Sequence, residues 1–360
     1  DVIGRGGQGT VWEVNDDSSI VVKTLTDGET GDIVCDEETY DAYSKKIKSL
    51  IALSILEDIQ NISVPIAMLE RPMCGYVMLF MKGMEQISRH RPKNENNCIS
   101  KAGSNASLKK KYKVMRNIAD TVRKLHNSGL IYGDFSANNV FVSKDCDDYE
   151  AWLIDADNLT YAQKNKNCIS TFGYGAPEVY AGHRNTIYSD IFSVAVVWFE
   201  YLTGSKPYIH KAPDGTENDE DSFVSFSAPE TPEENNEVYM YEEDGLEKNG
   251  IPAEYVFTDR IYELFMKTFS KSGRENPYSR PSANEWYEAF NDAIDEITKC
   301  SNKHYHLSEK CLWCAEEECE DDKNKYFSVE IEAIPDFGER IDDDWCNKKI
   351  VSCYQPYAHK

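Results

Sequence analysis

The octapeptide Tyr132-Gly133-Asp134-Phe135-Ser136-Ala137-Asn138-Asn139 puts an aspartate five residues before an asparagine and runs straight into the apolar segment Val140-Phe141-Val142. That spacing suits a tight loop in which Asp134 faces a hydroxyl as a base and Asn139 faces a metal ion. A second acid, Asp155, follows another apolar run, Trp152-Leu153-Ile154. A base, an amide ligand and a second carboxylate at adjacent strand ends could hold a divalent cation and move a phosphoryl group onto a hydroxyl. Aspartate and asparagine are also ordinary turn residues, so other elements must supply the phosphate-binding half.

Gly4-Arg5-Gly6-Gly7-Gln8-Gly9-Thr10-Val11 reads G-x-G-x-x-G-x-V, with Val2-Ile3 before it and Trp12 and Val14 after it. A dinucleotide-binding loop would need a helix directly after the glycines. Here a strand-like run follows, then the turn Asn15-Asp16-Asp17-Ser18-Ser19, then Ile20-Val21-Val22-Lys23. The pattern is strand, glycine turn, strand, turn, strand. Glycines let a backbone approach phosphates closely, and Lys23 can reach phosphate oxygens as a point charge. A plain glycine hairpin with an edge-strand lysine would look the same locally.

Farther on, Thr171-Phe172-Gly173-Tyr174-Gly175-Ala176-Pro177-Glu178 gives T-x-x-Y-x-A-P-E. Ser189-Asp190-Ile191-Phe192-Ser193 opens a long apolar helix through Leu202, and Ser279-Arg280-Pro281-Ser282-Ala283 precedes a helical segment from Asn284 to Ile294. In order and spacing these motifs resemble the eukaryotic-like protein kinases from Val2 to about Ile297. The resemblance implies an α+β, bilobal fold, with a small β-rich N-lobe (1–82) and a larger helical C-lobe (83–299). It implies that Gly4, Gly6 and Gly9 cover ATP phosphates, Lys23 holds the α- and β-phosphates, and Val11, Val22, Met78, Phe80 and Phe141 line the nucleotide site. Met78 would be the gatekeeper and Leu79-Phe80-Met81 the hinge. Asp134 would be the catalytic base, and Asn139 and Asp155 would ligate Mg²⁺ or Mn²⁺. Glu178 would pair with Arg280, and Asp190 would brace the catalytic loop.

The departures are specific. The family's His-Arg before the catalytic Asp is Tyr132-Gly133, which removes the cation that answers a phosphorylated activation loop; activity without such phosphorylation is expected. The family's Lys two residues after Asp134 is Ser136, so a positive charge near the transferring phosphate is missing. Asp-Phe-Gly becomes Asp155-Ala156-Asp157, and the Tyr132 ring is expected to fill part of the volume vacated at Ala156. The acid that should pair with Lys23 is open between Glu37 and Glu38. Both stand at the start of an amphipathic helix carrying Tyr40, Ile47, Leu50 and Ile51 near one face, and both also suit a helix N-terminus on their own.

A protein serine/threonine kinase is therefore expected, with Thr171 resembling Ser/Thr rather than Tyr kinases and with protein substrates. A pseudokinase scaffold is the alternative that Ser136 and Ala156 favour. A small-molecule kinase is a third, because Gly133-Asp134 resembles the antibiotic and choline phosphotransferases.

The 360 residues, 41% of them hydrophobic, can build two lobes with substantial cores. No apolar run reaches the ~20 residues that span a bilayer, and the apolar stretch from Ile191 to Leu202 carries Glu200, so no membrane association is expected. The first residue lies almost within a strand, so a natural start upstream is expected. A net charge of −24 argues against nucleic-acid binding. Lys109-Lys110-Lys111 reads as a solvated helix start. Ser88 to Lys110 reads as loop, and Tyr112 to Ser128 as a helix leading into the catalytic loop. Acid is concentrated between Asp214 and Glu247, which reads as an insertion at about 213–250 with little core, either disordered or a docking surface for a basic partner.

Eleven cysteines are scattered early and clustered late. In an ATP-using, cytoplasmic protein, clustered cysteines point to metal rather than disulfides. Cys300-x₃-His304 and Cys311-x₂-Cys314, separated by six residues, suit a closed tetrahedral Zn²⁺ site, with His306 as a rival to His304. A zinc module at 300–320 and a tail at 321–360 complete the expected organisation. A kinase domain followed by this motif resembles bacterial kinases found with von Willebrand A-domain proteins and a metal-dependent phosphatase, or with helix-hairpin-helix segments. Having none of the latter, the chain is expected to have the former partners.

Overall fold

The computed structural model describes residues 1–6, 9–27, 30–53, 59–91, 107–204, 206–207, 251, 253–307, 309–311 and 313–314. The expected acidic insertion, the tail, and Cys98, Cys319, Cys346 and Cys353 lie outside the described residues, as do Gly7 and Gln8. Asp1–Trp313 form one unit and Cys314–Lys360 a second, of which Cys314 alone is described.

The glycine-rich start folds as strand–turn–strand. β1 (Val2–Gly6) and β2 (Gly9–Glu13) pair antiparallel with Gly6 opposite Gly9. β3 (Ile20–Leu25) joins β2. After it, α1 (Glu37–Ile51) is capped by the Asp36 carboxylate, which accepts the Thr39 N–H at 2.8 Å. Its buried residues Tyr40, Ser44, Ile47 and Leu50 recur at helical spacing and form one apolar stripe. β4 (Ala67–Met68) and β5 (Gly75–Leu79) complete a five-stranded sheet in the order β1-β2-β3-β5-β4.

β6 (Met84–Gln86) begins the larger lobe and a 3₁₀ turn follows at Ile87–His90. Helix α2 (Leu108–Asn127) starts earlier than its apolar periodicity implies, with Ser107 accepting the Lys110 N–H. The expectation of a solvated lysine start is wrong for two of the three lysines. Lys110 and Lys111 are fully buried. Lys110 Nζ donates to the carbonyls of Ser143 (2.8 Å) and Asp145, and Lys111 Nζ donates to those of His90 (2.7 Å) and Tyr201 (2.5 Å). The carbonyls replace the water that each ammonium loses, while burial and the neighbouring Lys110 push the Lys111 pKa well down.

Short strands follow: β7 (Leu130–Ile131), β8 (Val140–Ser143), β9 (Ala151–Leu153) and β10 (Thr160–Tyr161). β6, β8 and β9 form one small sheet and β7 pairs with β10, so the Tyr132–Asn139 octapeptide and Asp155 stand at adjacent strand ends. α3 (Pro177–Tyr180) precedes α4 (Ile187–Thr203), which is apolar around most of its circumference and buried throughout from Ser189. A Thr186–Ser189 capping box starts α4, and Gly204 at φ +83° ends it.

Beyond it lie α5 (Ala253–Val256), α6 (Asp259–Phe269), α7 (Lys271–Glu275), α8 (Ala283–Glu296) and the hairpin β11 (Thr298–Lys299) and β12 (Tyr305–His306). Trp198 packs on Trp286 and Phe290, and Phe199 on Phe265, with ring centroids 5.0–5.3 Å apart. This aromatic core locks α4, α6 and α8 together. No described helix is long and apolar enough to cross a membrane.

Arg280, just before α8, reaches Glu178 of α3. Its two terminal nitrogens each lie 2.7 Å from a Glu178 carboxylate oxygen, while Nε donates to Gly273 O. The Arg280 side chain is fully buried and that of Glu178 is 13% exposed. Arg280→Met therefore strands a buried carboxylate. It is expected to lower stability by about 3–5 kcal/mol in urea unfolding, whereas loss of under ~1 kcal/mol would place the pair in the class of surface ion pairs.

Candidate active site

The Tyr132–Asn139 loop is shaped from beneath by α4. Asp190, 2% exposed, accepts the Tyr132 N–H on Oδ2 at 2.7 Å and the Gly133 N–H on Oδ1 at 2.9 Å. Presenting two successive N–H groups to one carboxylate uses φ +88° at Gly133. That region is open to glycine and costs other L-residues about 1–2 kcal/mol. The glycine at the position of the family's arginine thus suits the backbone conformation of this loop as well as removing a charge.

Asn139 closes the loop. Its Nδ2 donates to Asp134 O at 2.9 Å and lies 3.4 Å from Asp134 Oδ2. The other Asp134 oxygen accepts the Thr171 hydroxyl at 2.8 Å. Burial raises the Asp134 pKa, and the bonds from Thr171 and Asn139 oppose that rise. Ser136 is buried, at 1% exposure, and brings no cation.

Asp155 sits at φ +58°, in the left-handed region, at the start of the turn that follows β9. Its carboxylate pairs with Lys23 Nζ. Burial and neighbouring Asp157 push the Asp155 carboxyl up, and Lys23 opposes them. Lys23 makes a second ion pair, 2.9 Å to Asp157 Oδ2. Burial pulls the Lys23 pKa down, but Asp157 and Asp155 more than offset it and hold the ammonium charged. Ala156 is fully buried and Tyr132 is 1% exposed, its ring tilted against Phe135 with centroids 4.4 Å apart and its hydroxyl donating to Ile154 O. The ring is therefore turned inward beside this segment.

On the sheet side, Val11 lies opposite Lys23 and Val21 opposite Met78. Opposed residues share a face and the period along a strand is two. Val21 therefore lies on the Lys23 face, while Val22, opposite Trp12, points the other way; Val22 does not belong with the nucleotide-facing residues. Met78 is buried and the Phe80 N–H donates to Ser19 O, tying the segment after β5 to β3. Phe141 is half-buried between the buried Val140 and Val142 of β8. Gly4 and Gly6 lie on β1. A Cβ on Gly9 would fall 2.4 Å from Thr24 O and 3.5 Å from Lys23 Cε, so β2 passes too close to β3 for any side chain there.

Neither candidate acid of α1 reaches Lys23. Glu37, with Asp41, pairs with Arg71 at the outer end of the helix, and Glu38 is exposed. Lys46 of α1 instead donates to Asn158 Oδ1 at 3.3 Å.

Sequence reading missed Asp157 and Asn185. Asn185 Oδ1 accepts the Ile169 N–H at 2.8 Å, and its Nδ2 lies 2.8 Å from Ile169 O and 3.0 Å from Gly133 O. It fastens the activation segment to the catalytic loop through neutral bonds. Asp157 carried a readable signal, an acid where the family has glycine; Asn185 lies in no motif.

At the far end of the first unit, β11 and β12 bring Cys300, His304 and Cys311 together, with their ligand atoms within 4.8 Å of one another. The His304 N–H donates to Cys300 Sγ at 3.3 Å. His306 is directed to the Thr298 hydroxyl at 3.2 Å.

The protein kinase domain model matches residues 1–311, and the chain belongs to that family. It is similar to protein kinase YegI of Escherichia coli O157:H7, 23% identical over 346 residues that cover 87% of this chain and 48% of the relative. It is also similar to the proline-rich receptor-like protein kinase PERK15 of Arabidopsis thaliana, 28% identical over 200 residues, 53% of this chain and 37% of the relative. The LRR receptor-like serine/threonine-protein kinase RGI2 of Arabidopsis thaliana is 30% identical over 114 residues, 29% of this chain and 10% of the relative. The chain spans about half the length, or less, of these relatives.

The positive φ at Gly133 makes a direct test. Gly133→Ala is expected to cost about 1–2 kcal/mol of stability and to slow any turnover by loosening Asp134. A variant as stable and as active as the parent would show that the loop does not need this conformation.

Proposed function

We propose that the chain is an ATP- and Mg²⁺- or Mn²⁺-dependent protein serine/threonine kinase whose turnover is not gated by activation-loop phosphorylation. The observation that carries this reading is the convergence of Lys23, Asp134, Asn139 and Asp155 from three separate segments: β3, the loop before β8 and the turn after β9. The residues fit the nucleotide and its cation. Asn139 and Asp155 offer hard oxygen ligands suited to Mg²⁺, and the Asp155 side chain keeps 32% of its surface open. Gly9, at the start of β2, supplies backbone without a side chain beside Lys23. Bound Mg²⁺–ATP supplies the transferable γ-phosphoryl group and neutralises its charge.

The chain's own residues do the rest. Lys23 would orient the α- and β-phosphates, and Asn139 and Asp155 would hold the cation. Asp134 receives the proton of the attacking serine or threonine hydroxyl; its bond from the Thr171 hydroxyl supports that role. The raised Asp134 pKa makes it a better proton acceptor, since base strength rises with pKa. Asn185 supports independence from phosphorylation, because it docks the activation segment without a charged partner.

Ser136 favours a second reading, a nucleotide-binding scaffold, since no cation stands where the family neutralises the transferring phosphate. Incubation with labelled ATP, Mg²⁺ and a generic basic protein separates the two. The parent and Ser170→Ala are expected to transfer label, and Asp134→Ala to bind ATP but lose transfer by about 10²-fold or more. ATP binding without transfer by the parent would favour the scaffold. Loss of transfer in a folded Ser170→Ala, restored by Ser170→Glu, would restore phosphate gating.

We also read Cys300, His304, Cys311 and Cys314 as a closed structural Zn²⁺ site. The Cys300–His304–Cys311 cluster supports three ligands, and Cys314, directly after Trp313, is the fourth. The Thr298 contact of His306 favours His304 over it. The same motif supports a von Willebrand A-domain protein and a metal-dependent phosphatase as partners, by family resemblance. Metal analysis is expected to find one equivalent of zinc, lost in Cys311→Ser together with some melting temperature. A folded parent without zinc would remove the site.

A further inference from the structure

In this family the β3 lysine is held by a glutamate on the helix that packs against the small sheet, and both must be in place for transfer. Here α1 brings no acid to that lysine. Its acids, Glu37 and Asp41, are engaged with Arg71 at the outer end, and Glu38 is exposed. Toward the site the helix sends a cation, with Lys46 Nζ 3.3 Å from Asn158 Oδ1. A lysine in that place could only repel Lys23.

The missing carboxylate stands elsewhere. Asp157, 4% exposed, puts Oδ2 2.9 Å from Lys23 Nζ. Its other oxygen accepts the hydroxyl of Tyr76, a β5 residue directly opposite Lys23 in the sheet. Both oxygens are committed, one to the lysine and one to a tyrosine that fixes the carboxylate from the side of the lysine's own strand. Tyr76 is itself 1% exposed, so the hydroxyl has little freedom to turn away.

We propose that Asp157 is the lysine-positioning residue of this kinase, in place of a helix glutamate. The proposal rests on the kinase reading above. It carries a regulatory consequence. Asp157 lies two residues from Asp155, on one short turn at Ala156–Asn158. The lysine that orients the phosphates and the carboxylate offered to the cation are therefore set by a single segment. A rotation of α1 would not break the pair; a shift of the Asp155–Asn158 turn would break both functions together. The rival role for Asp157, a further ligand of the cation, predicts different behaviour.

The test is a double-mutant cycle of Asp157→Asn and Lys23→Met, read by ATP affinity in titration calorimetry and by turnover, with Mg²⁺ and then Mn²⁺. Circular dichroism checks that each variant folds. Asp157→Asn is expected to lower kcat/KM by about 10²-fold and to weaken ATP binding, with the Mg²⁺ half-saturation unchanged. In the Lys23→Met background it should alter ATP affinity by less than about twofold, because its effect passes through the lysine. Tyr76→Phe, which removes only the orienting hydroxyl, should cause a smaller loss of the same kind, and Asp157→Glu should recover part of the activity.

Equal losses with and without Lys23, or a raised Mg²⁺ requirement relieved by Mn²⁺, would make Asp157 a cation ligand and overturn the proposal. If the parent binds ATP but transfers nothing, the kinase reading fails, while the affinity cycle still decides whether Asp157 acts through Lys23.

Discussion

The Asp190 carboxylate, buried at the start of α4, is the constraint on which the rest of the site hangs. An unpaired carboxylate at 2% exposure would be costly. It is made tolerable by accepting the consecutive N–H groups of Tyr132 and Gly133, with His126 Nε2 at 3.2 Å. Those same bonds dictate where the next residue, Asp134, can point. The aromatic packing of α4 against α6 and α8 is therefore more than core filling. It holds the carboxylate still, and through it the reactive loop.

Around that anchor the site is rebuilt with different chemistry from the family pattern. Charge is withdrawn at Gly133 and Ser136 and added at Asp157. Neutral amides take over docking at Asn185. The glycine at 133 links two of these changes, because the φ that lets its N–H reach Asp190 is one an arginine would occupy only at a cost.

Much of the fold was legible in the sequence. The glycine turn between alternating apolar runs, the apolar stretch of α4 and the helical segment after Ser279–Ala283 are local signals, and each produced the element expected of it. Asp134, Asn139 and Asp155 were legible for the same reason, since they stand at fixed short offsets from apolar strands. The errors share a different cause. Val22 was placed in the nucleotide site through the family resemblance, but a one-residue step along a strand reverses the face. Lys110 and Lys111 looked solvated because their acceptors, the carbonyls of His90, Ser143 and Tyr201, are remote in sequence. No window around the lysines could show them.

The unresolved partner of Lys23 belongs to this second class. Search along α1 could not succeed, because the carboxylate had left the helix altogether. The lysine needs only a fixed negative neighbour at hydrogen-bond distance, and Coulomb attraction is indifferent to which segment brings it. The segment matters for control. A partner on a helix ties the lysine to that helix's docking; a partner two residues from Asp155 ties it to the cation ligand. On the kinase reading proposed above, Asn185 would hold the activation segment and Asp157 the lysine, so that assembling the site would call on neither a phosphate nor an acid from α1.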